Sequence, residues 1–196
     1  MALSVGRSVQ RFMPTDYRAF VTLPTSTRLK DGRYAIIRRA GPEDADAWVA
    51  NVNAIGAERV FIMTEAFQRS AEEVRKQFTE TDPLQELWLA AEVEGALAGG
   101  ADFRRGTHSK NSHVASLGVA ILKRYRGLGL GEAMMRAGIE WARSVGISRL
   151  KLGVFASNER ALALYRKMGF AEEGRLRGEV VLEGKPVDEI LMALAL

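Results

Sequence analysis

The stretch that most constrains the fold of this chain is Arg126-Gly-Leu-Gly-Leu-Gly131. It follows an apolar run at residues 114–122, and it precedes a segment whose apolar residues recur at helical spacing up to Val145. Glycines allow tight turns in which several backbone N–H groups converge on one anion. The N-terminus of the following helix adds a partial positive charge. The pattern therefore predicts a strand-to-helix turn that suits a diphosphate.

Two common nucleotide motifs do not fit this turn. A P-loop needs Gly-Lys-Ser/Thr after the glycines, whereas Glu132 follows Gly131 here. A dinucleotide-binding turn follows the first strand of its domain, whereas this turn follows the fourth predicted strand. The glycines alone also leave open a tight turn that binds no ligand.

The remaining patterns predict one α/β domain with a mixed sheet at residues 33–196, in the order β-α-α-β-β-β-α-β-α-β-β. A Pro at Pro42 and a capping box at Ser70-Ala-Glu-Glu73 mark the starts of the first two helices. Asn158 marks the start of the last helix. The predicted strands span residues 34–39, 87–93, 96–103, 114–122, 149–155, 180–182 and 187–194.

The basic charge of the chain is concentrated at its N-terminus. Residues 1–40 contain eight Lys or Arg and two Asp or Glu, a charge of +6, and the other 156 residues contain 20 and 22, a charge of −2, which together give the net +4. A nucleic-acid-binding domain usually carries a basic face on its folded part. We therefore expect no nucleic-acid partner.

Residues 1–32 are predicted to form a basic extension. Their arginine-rich, acid-poor composition is similar to that of a transit peptide, but they lack the apolar core of a secretory signal. An arm that packs on the domain or on a second subunit is the favoured interpretation, which leaves a homodimer open. The longest run without a charged residue, 111–122, is too short to cross a bilayer, which takes ~20 apolar residues. These features favour a cytoplasmic protein without a membrane partner.

The composition excludes several kinds of site. The chain has no Cys, which excludes disulfides, zinc–thiolate centres and a cysteine nucleophile. Its two histidines, His108 and His113, are too few for most metal centres, so no metal is expected.

A second segment identifies a family. Residues 158–170 read Asn-Glu-Arg-Ala-Leu-Ala-Leu-Tyr-Arg-Lys-Met-Gly-Phe. Together with the glycine-rich turn, this segment resembles the GNAT acetyltransferase superfamily over about residues 34–196. The first family motif, Gln/Arg-x-x-Gly-x-Gly/Ala, is matched by Arg126, Gly129 and Gly131. The second is matched by Asn158, Ala161, Tyr165, Gly169 and Phe170.

The resemblance implies that the co-substrate is acetyl-CoA. Its pyrophosphate would bind the turn, its pantetheine arm would bind the preceding strand, and the Val119 amide would hold the oxyanion. Gly118 would mark a bulge or a close backbone approach. The implied cofactor-binding residues are Gly118, Val119, Ala120, Ile121, Arg126, Gly127, Leu128, Gly129, Leu130, Gly131 and Asn158.

The resemblance also assigns catalytic positions. Tyr165 would be the general acid that protonates the leaving CoA thiolate. At two positions where relatives carry a Glu that acts as the general base, this chain has Ser116 and Gly153, so the usual base is missing. His113 and Glu65 are the candidate base or substrate contacts, and a water relay is the alternative.

The function implied is an N-acetyltransferase that acts on the primary amine of a small molecule or a peptide N-terminus. The basic loop at residues 104–110 favours an acceptor that bears a carboxylate. The alternative is a non-catalytic acetyl-CoA-sensing module whose basic arm binds a partner. The vacant base positions favour this alternative, whereas Tyr165 and Asn158 favour the enzyme.

Overall fold

Eight strands form one mixed sheet in the computed structural model, which describes residues 23–196. The strands are β1 (Thr25–Arg28), β2 (Tyr34–Arg39), β3 (Glu86–Val93), β4 (Ala96–Arg105), β5 (Val114–Ile121), β6 (Arg149–Phe155), β7 (Ala171–Leu182) and β8 (Lys185–Ala195). Their order is β1-β2-β3-β4-β5-β6-β8-β7, and β5 and β6 are parallel whereas the other neighbours are antiparallel. The predicted α/β class with a mixed sheet is confirmed.

Helices cover both faces of this sheet. They are α1 (Ala45–Gly56), α2 (Ala71–Glu80), α3 (Leu130–Ser144) and α4 (Glu159–Lys167). Successive strand side chains point to opposite faces. On β4, Phe103 packs against Trp141 of α3, with ring centroids 6.2 Å apart. Gly100 lies on the other face under Trp48 of α1. We call these the α3 face and the α1 face.

The local helix signals are confirmed. Ser70 caps α2, and its side chain and that of Glu73 bond each other's backbone N–H groups. Asn158 caps α4, since its Oδ1 accepts a hydrogen bond of 3.2 Å from the Ala161 N–H. Within residues 23–196, no helix is both long enough and apolar enough to cross a membrane.

The sheet begins earlier than predicted. Strand β1 lies inside the segment assigned to the basic extension and pairs with β2 along its whole length. Its sequence, Thr-Ser-Thr-Arg, shows no apolar alternation, which is why it was missed. Leu29, directly after it, is buried in the core. Residues 1–22, which hold most of the predicted extension, lie outside the described residues.

The last hairpin is also longer than predicted. Strand β7 begins at Ala171 rather than at residue 180, and most of its side chains are exposed. It is an edge strand rich in charged residues and has two register irregularities against β8. Such charges and bulges protect an exposed edge from further pairing. They also hide the alternation by which a strand is recognised.

Candidate functional site

The sheet divides between β5 and β6. Residues 114–116 of β5 pair with residues 149–151 of β6, and no pairing follows. Both strands nevertheless continue, β5 to Ile121 and β6 to Phe155. We call the space between residues 117–121 and 152–155 the β5–β6 gap. Backbone groups that face it lack sheet partners, so they can bind a ligand.

Hydrogen bonds at both ends of β5 show which residues face its other neighbour, β4. The Gly106 N–H bonds the Val114 carbonyl at 2.9 Å, and the Leu122 N–H bonds the Ala98 carbonyl at 3.0 Å. In an antiparallel pair, alternate residues direct both backbone groups to the same neighbour. The even-numbered residues of β5 therefore bond β4.

The odd-numbered residues Val119 and Ile121 direct their backbone groups toward the gap. Their N–H groups are the available donors on this strand, whereas those of Gly118 and Ala120 belong to the β4 ladder. The expectation that all four residues offer amides to a cofactor is therefore corrected to Val119 and Ile121.

Gly118 allows a close approach and does not mark a bulge. The pairing of β4 with β5 has no register shift. A Cβ atom at residue 118 would lie 2.9 Å from Oδ1 of Asp102, which is closer than real Cβ contacts. The Asp102 carboxylate thus occupies the space that a side chain at residue 118 would take, and it would have to shift to admit one.

The glycine-rich turn presents unpaired backbone donors. Gly127 and Gly129 have φ angles of 78° and 104°, which only glycine adopts readily. Gly129 caps α3 without a side-chain hydrogen bond. Among the described residues, no acceptor bonds the N–H groups of residues 127–132. These donors lie at a helix N-terminus, where free N–H groups and the helix dipole favour anion binding.

The segment after β1 supports this turn. The Lys30 N–H donates a hydrogen bond of 3.1 Å to the Leu128 carbonyl. Leu128 is also packed against the main core, which Leu29 joins. Part of the predicted extension therefore helps to hold the turn in place.

The side chain of Arg126 has a structural role that its motif does not predict. Its Nη atoms bond both carboxylate oxygens of Glu58 at 2.7 and 2.6 Å, and its Nε donates to the Ile121 carbonyl at 2.7 Å. Hydrogen bonding with Arg126 holds the pKa of Glu58 below its usual value. The guanidinium also lies 4.5 Å from the Phe61 ring centroid.

Two contacts of Arg126 limit its part in an anion site at the turn, although the family resemblance implied that it binds the cofactor. The positive charge of Arg126 is neutralised by Glu58 and is not available to a phosphate. Its backbone N–H bonds the Lys123 carbonyl at 3.3 Å, so the free donors begin at Gly127.

Helix α4, which carries Tyr165, meets the start of α3 through Leu164. A Cβ at Gly131 would lie 2.9 Å from Leu164 and 3.5 Å from Ile121, so α3, α4 and the end of β5 meet there. The ammonium of Lys167 bonds Glu132 at 2.6 Å across the same junction.

The Tyr165 side chain is buried. Its ring centroid lies 5.8 Å from that of Phe170. Its hydroxyl has no hydrogen-bond partner among the described residues, and burial raises its pKa to about 12. The hydroxyl therefore stays protonated at neutral pH and can donate.

The structure separates the two candidate base residues. His113 precedes β5 at its paired end, six residues before Val119, which is about 20 Å along the strand. This distance from the amide expected to hold the oxyanion argues against His113 as the base. Glu65 is exposed, pairs with Arg59 at 3.8 Å, and lines an open depression of about 610 Å³ with Phe67 and Arg69.

Asp102 is a half-buried carboxylate, with its side chain 19% exposed, that the sequence patterns did not single out. It interrupts the apolar run of β4 and lies opposite Gly118 of β5 and Trp88 of β3. A charged residue inside an otherwise apolar strand was the available signal. Within residues 23–196, no group of three or more His, Asp or Glu side chains is placed to hold a metal.

Comparison with known proteins assigns this architecture. Residues 52–170 match the model of the acetyltransferase (GNAT) family. L-amino acid N-acetyltransferase AaaT of Escherichia coli (strain K12) is 32% identical over 109 residues, which cover 54% of this chain and 65% of that enzyme, just under two thirds.

Two solved structures share the fold. An acetyltransferase of the GNAT family from Streptococcus pneumoniae is 31% identical with a TM-score of 0.78, over 83% of this chain and 99% of that chain. A GNAT superfamily phosphinothricin acetyltransferase from Sinorhizobium meliloti, solved in complex with acetyl-CoA, is 19% identical with a TM-score of 0.75, over 83% of this chain and 88% of that chain. With its divided sheet, its free turn amides and a family match over more than half of its length, the chain belongs to the acetyltransferase (GNAT) family.

Proposed function

We propose that this protein is an N-acetyltransferase that transfers the acetyl group of acetyl-CoA to the primary amine of a small molecule or a peptide N-terminus. The observation that carries the proposal is the β5–β6 gap, which ends at the unpaired N–H groups of residues 127–132. Family membership and the acetyl-CoA complex of the Sinorhizobium meliloti relative support it.

The cofactor would follow the free donors. Its pyrophosphate would accept hydrogen bonds from the N–H groups of residues 127–132 at the start of α3. Its pantetheine arm would bond backbone groups of β5 inside the gap. Asn158 uses Oδ1 for capping, so its Nδ2 would donate to the same arm.

The reaction would be direct attack by the amine. The nitrogen lone pair adds to the thioester carbonyl carbon, and the Val119 N–H stabilises the oxyanion. The carbon–sulfur bond then breaks. Tyr165 donates a hydrogen bond or a proton to the leaving thiolate. Since the pKa of Tyr165 is raised to about 12, full transfer to a thiol of pKa ~8.5 is uphill, and hydrogen-bond donation in the transition state is its main contribution.

The charges on the α1 face favour an acceptor that bears a carboxylate. Arg104 projects onto this face and is more than half exposed. Arg69 lies 6.0 Å from the Trp88 ring centroid on the same face. AaaT is named for its action on amino acids, which carry both an amine and a carboxylate. Arg105 lies on the α3 face and bonds the Val145 carbonyl, so it is excluded from this role.

Replacing Arg104 with Ala should raise KM about tenfold for an amino acid and leave KM for the corresponding amino-acid amide nearly unchanged. A hydrogen bond to a charged group contributes about 1.5–3 kcal/mol, and 1.4 kcal/mol is tenfold in binding. The ratio of the two KM values, measured at one pH, isolates the carboxylate contact. An equal change for both acceptors would contradict this role.

The proposed function is tested by CoA release, read with a thiol reagent, against amino acids, N-terminal peptides, polyamines and aminoglycosides. The protein has no Cys and contributes no thiol background. We expect release with at least one amine and none without an acceptor. Stabilisation by acetyl-CoA without release would favour the sensing module. No stabilisation and no release would contradict acetyl-CoA binding itself.

A further inference from the structure

The Asp102 carboxylate lies over the backbone of β5 beside the gap. Asp102 and Gly118 are directly opposed across the β4–β5 ladder, and Oδ1 fills the space of the side chain that Gly118 lacks. The next residue, Val119, is one of the two whose N–H groups face the gap. The carboxylate thus lies over the residue that directly precedes the proposed oxyanion donor on β5.

Oδ2 of this carboxylate is fully buried, and its ion-pair partner among residues 23–196 is Nε of Arg104 at 2.9 Å, on a side chain that is more than half exposed. An ion pair with so exposed a partner is screened by solvent, so it offsets only part of the desolvation of the carboxylate. Such a group calls for a specific explanation in a folded protein.

Four other groups define the electrostatic environment of Asp102. Burial raises the pKa of its carboxyl, the charges of Arg104 on β4 and Arg69 in the α1–α2 loop lower it, and Glu86 on β3 raises it. The aromatic ring of Trp88 is its cross-strand neighbour on β3. The net effect of burial is a carboxyl with a raised pKa, which binds a proton more readily than an exposed one.

The proposed reaction needs a proton acceptor, because an amine is protonated at neutral pH and an ammonium ion cannot attack. Ser116 and Gly153 offer no basic group. We propose, on the basis of the proposed function, that Asp102 is the general base that accepts the proton of the acceptor amine.

The protons of the proposed acetyl transfer balance. The ammonium of the acceptor gives one proton to Asp102, and the neutral nitrogen forms its bond to the thioester carbon. When the carbon–sulfur bond breaks, the thiolate accepts a hydrogen bond from Tyr165, and the second proton released by the nitrogen passes to the sulfur. Asp102 then loses its proton to solvent. The products are the amide, CoA thiol and one proton.

The geometry also separates the two proton-transfer groups. Asp102 faces the α1 side of the sheet, where Glu65 and Arg69 line an open depression. Tyr165 belongs to α4 and packs in the core on the α3 face. The acceptor would thus approach from one face and the cofactor from the other, and the β5–β6 gap would join the two.

A second carboxylate tests the specificity of this assignment. Glu189 of β8 leans over Gly153 of β6, as Asp102 leans over Gly118. Its carboxylate has no ion pair or hydrogen bond among the described residues, and it is half-buried, as Asp102 is. Asp102 is favoured because it lies beside Val119, on the strand whose amides face the gap.

Asp102→Asn should lower kcat/KM at pH 7 by about 100-fold, which is within the range for loss of a general base. As pH rises, the wild-type kcat/KM should reach its plateau at a pH well below the pKa of the acceptor amine. In Asp102→Asn it should keep rising about tenfold per pH unit up to that pKa, since only the free amine reacts. A purely structural role would not produce this change in the profile. Asp46→Asn, an exposed carboxylate on α1, is the matched control and should match wild type.

Folding of the variant is checked by its Tm. A raised pKa means that Asp102 stabilises the fold at low pH and that this contribution is lost as pH rises through its folded pKa. Burial disfavours the ionised form of Asp102, so Asp102→Asn should have an equal or higher Tm at pH 7 and should still be stabilised by acetyl-CoA.

Several results would overturn the base assignment. An unchanged pH profile in Asp102→Asn, or the profile change in Glu189→Gln instead, would each contradict it. Failure of the proposed function is distinguishable, because the wild-type protein would then release no CoA with any amine.

Discussion

Replacing Tyr165 with Phe should lower kcat by about 100-fold or more while acetyl-CoA binding stays unchanged. The substitution removes only the hydroxyl, which is the proposed donor to the CoA thiolate, and loss of such a group typically costs 10²–10⁴-fold in rate. The hydroxyl has no partner among the described residues, so its removal should not lower stability. Single-turnover kinetics and acetyl-CoA titration measure the two quantities.

The control is Tyr34→Phe, the same chemical change at an exposed position on β2. It should leave kcat unchanged. If Tyr165→Phe kept full activity, Tyr165 would serve only to pack against Phe170. If neither the wild-type protein nor Tyr165→Phe showed turnover, although both bound acetyl-CoA, the sensing module would be favoured.

Replacing Gly138 with Ala should destabilise the fold by about 2 kcal/mol, a fall in Tm of about 4–8 °C. A Cβ at this position of α3 would overlap three ring atoms of Phe103, which is fully buried and cannot move aside. Overpacking of this kind costs about 1–3 kcal/mol or more, and the gain in helix propensity of about 1 kcal/mol offsets only part of it. Thermal and urea unfolding measure the loss.

A size swap provides the control. Phe103→Leu alone should also destabilise the protein, since it leaves a cavity beside Trp141. Combined with Gly138→Ala, it should recover part of the loss, because the new methyl group then has space. Strictly additive losses would show that the two residues do not compete for the same volume.

Features specified by short stretches of chain could be predicted. The capping box at Ser70, the cap at Asn158 and the glycine-rich turn each depend on neighbouring residues, and the structure contains all three helix starts. The family motifs added the implied roles of Tyr165 and the turn amides, which remain proposals.

Features that depend on pairing between distant residues could not be predicted. Arg126 and Glu58 are 68 residues apart, so nothing local indicated that the guanidinium would be neutralised. The meaning of Gly118 depends on its register with Asp102, which only the sheet reveals. Strand β1 is polar and lies at an edge, where burial imposes no alternation.

The short pairing of β5 with β6 has a mechanical consequence. The five strands β1 to β5 and the three strands β6 to β8 form two blocks, and their backbones are joined by three ladder pairs and by the His113 carbonyl, which accepts hydrogen bonds from Ser148 and Arg149. Local unfolding starts where few backbone bonds hold neighbouring elements together. A ligand bound along the gap would connect the blocks, and its binding free energy would add to the cohesion of the native state. The weakest boundary of this sheet would thus be strongest while a cofactor is bound.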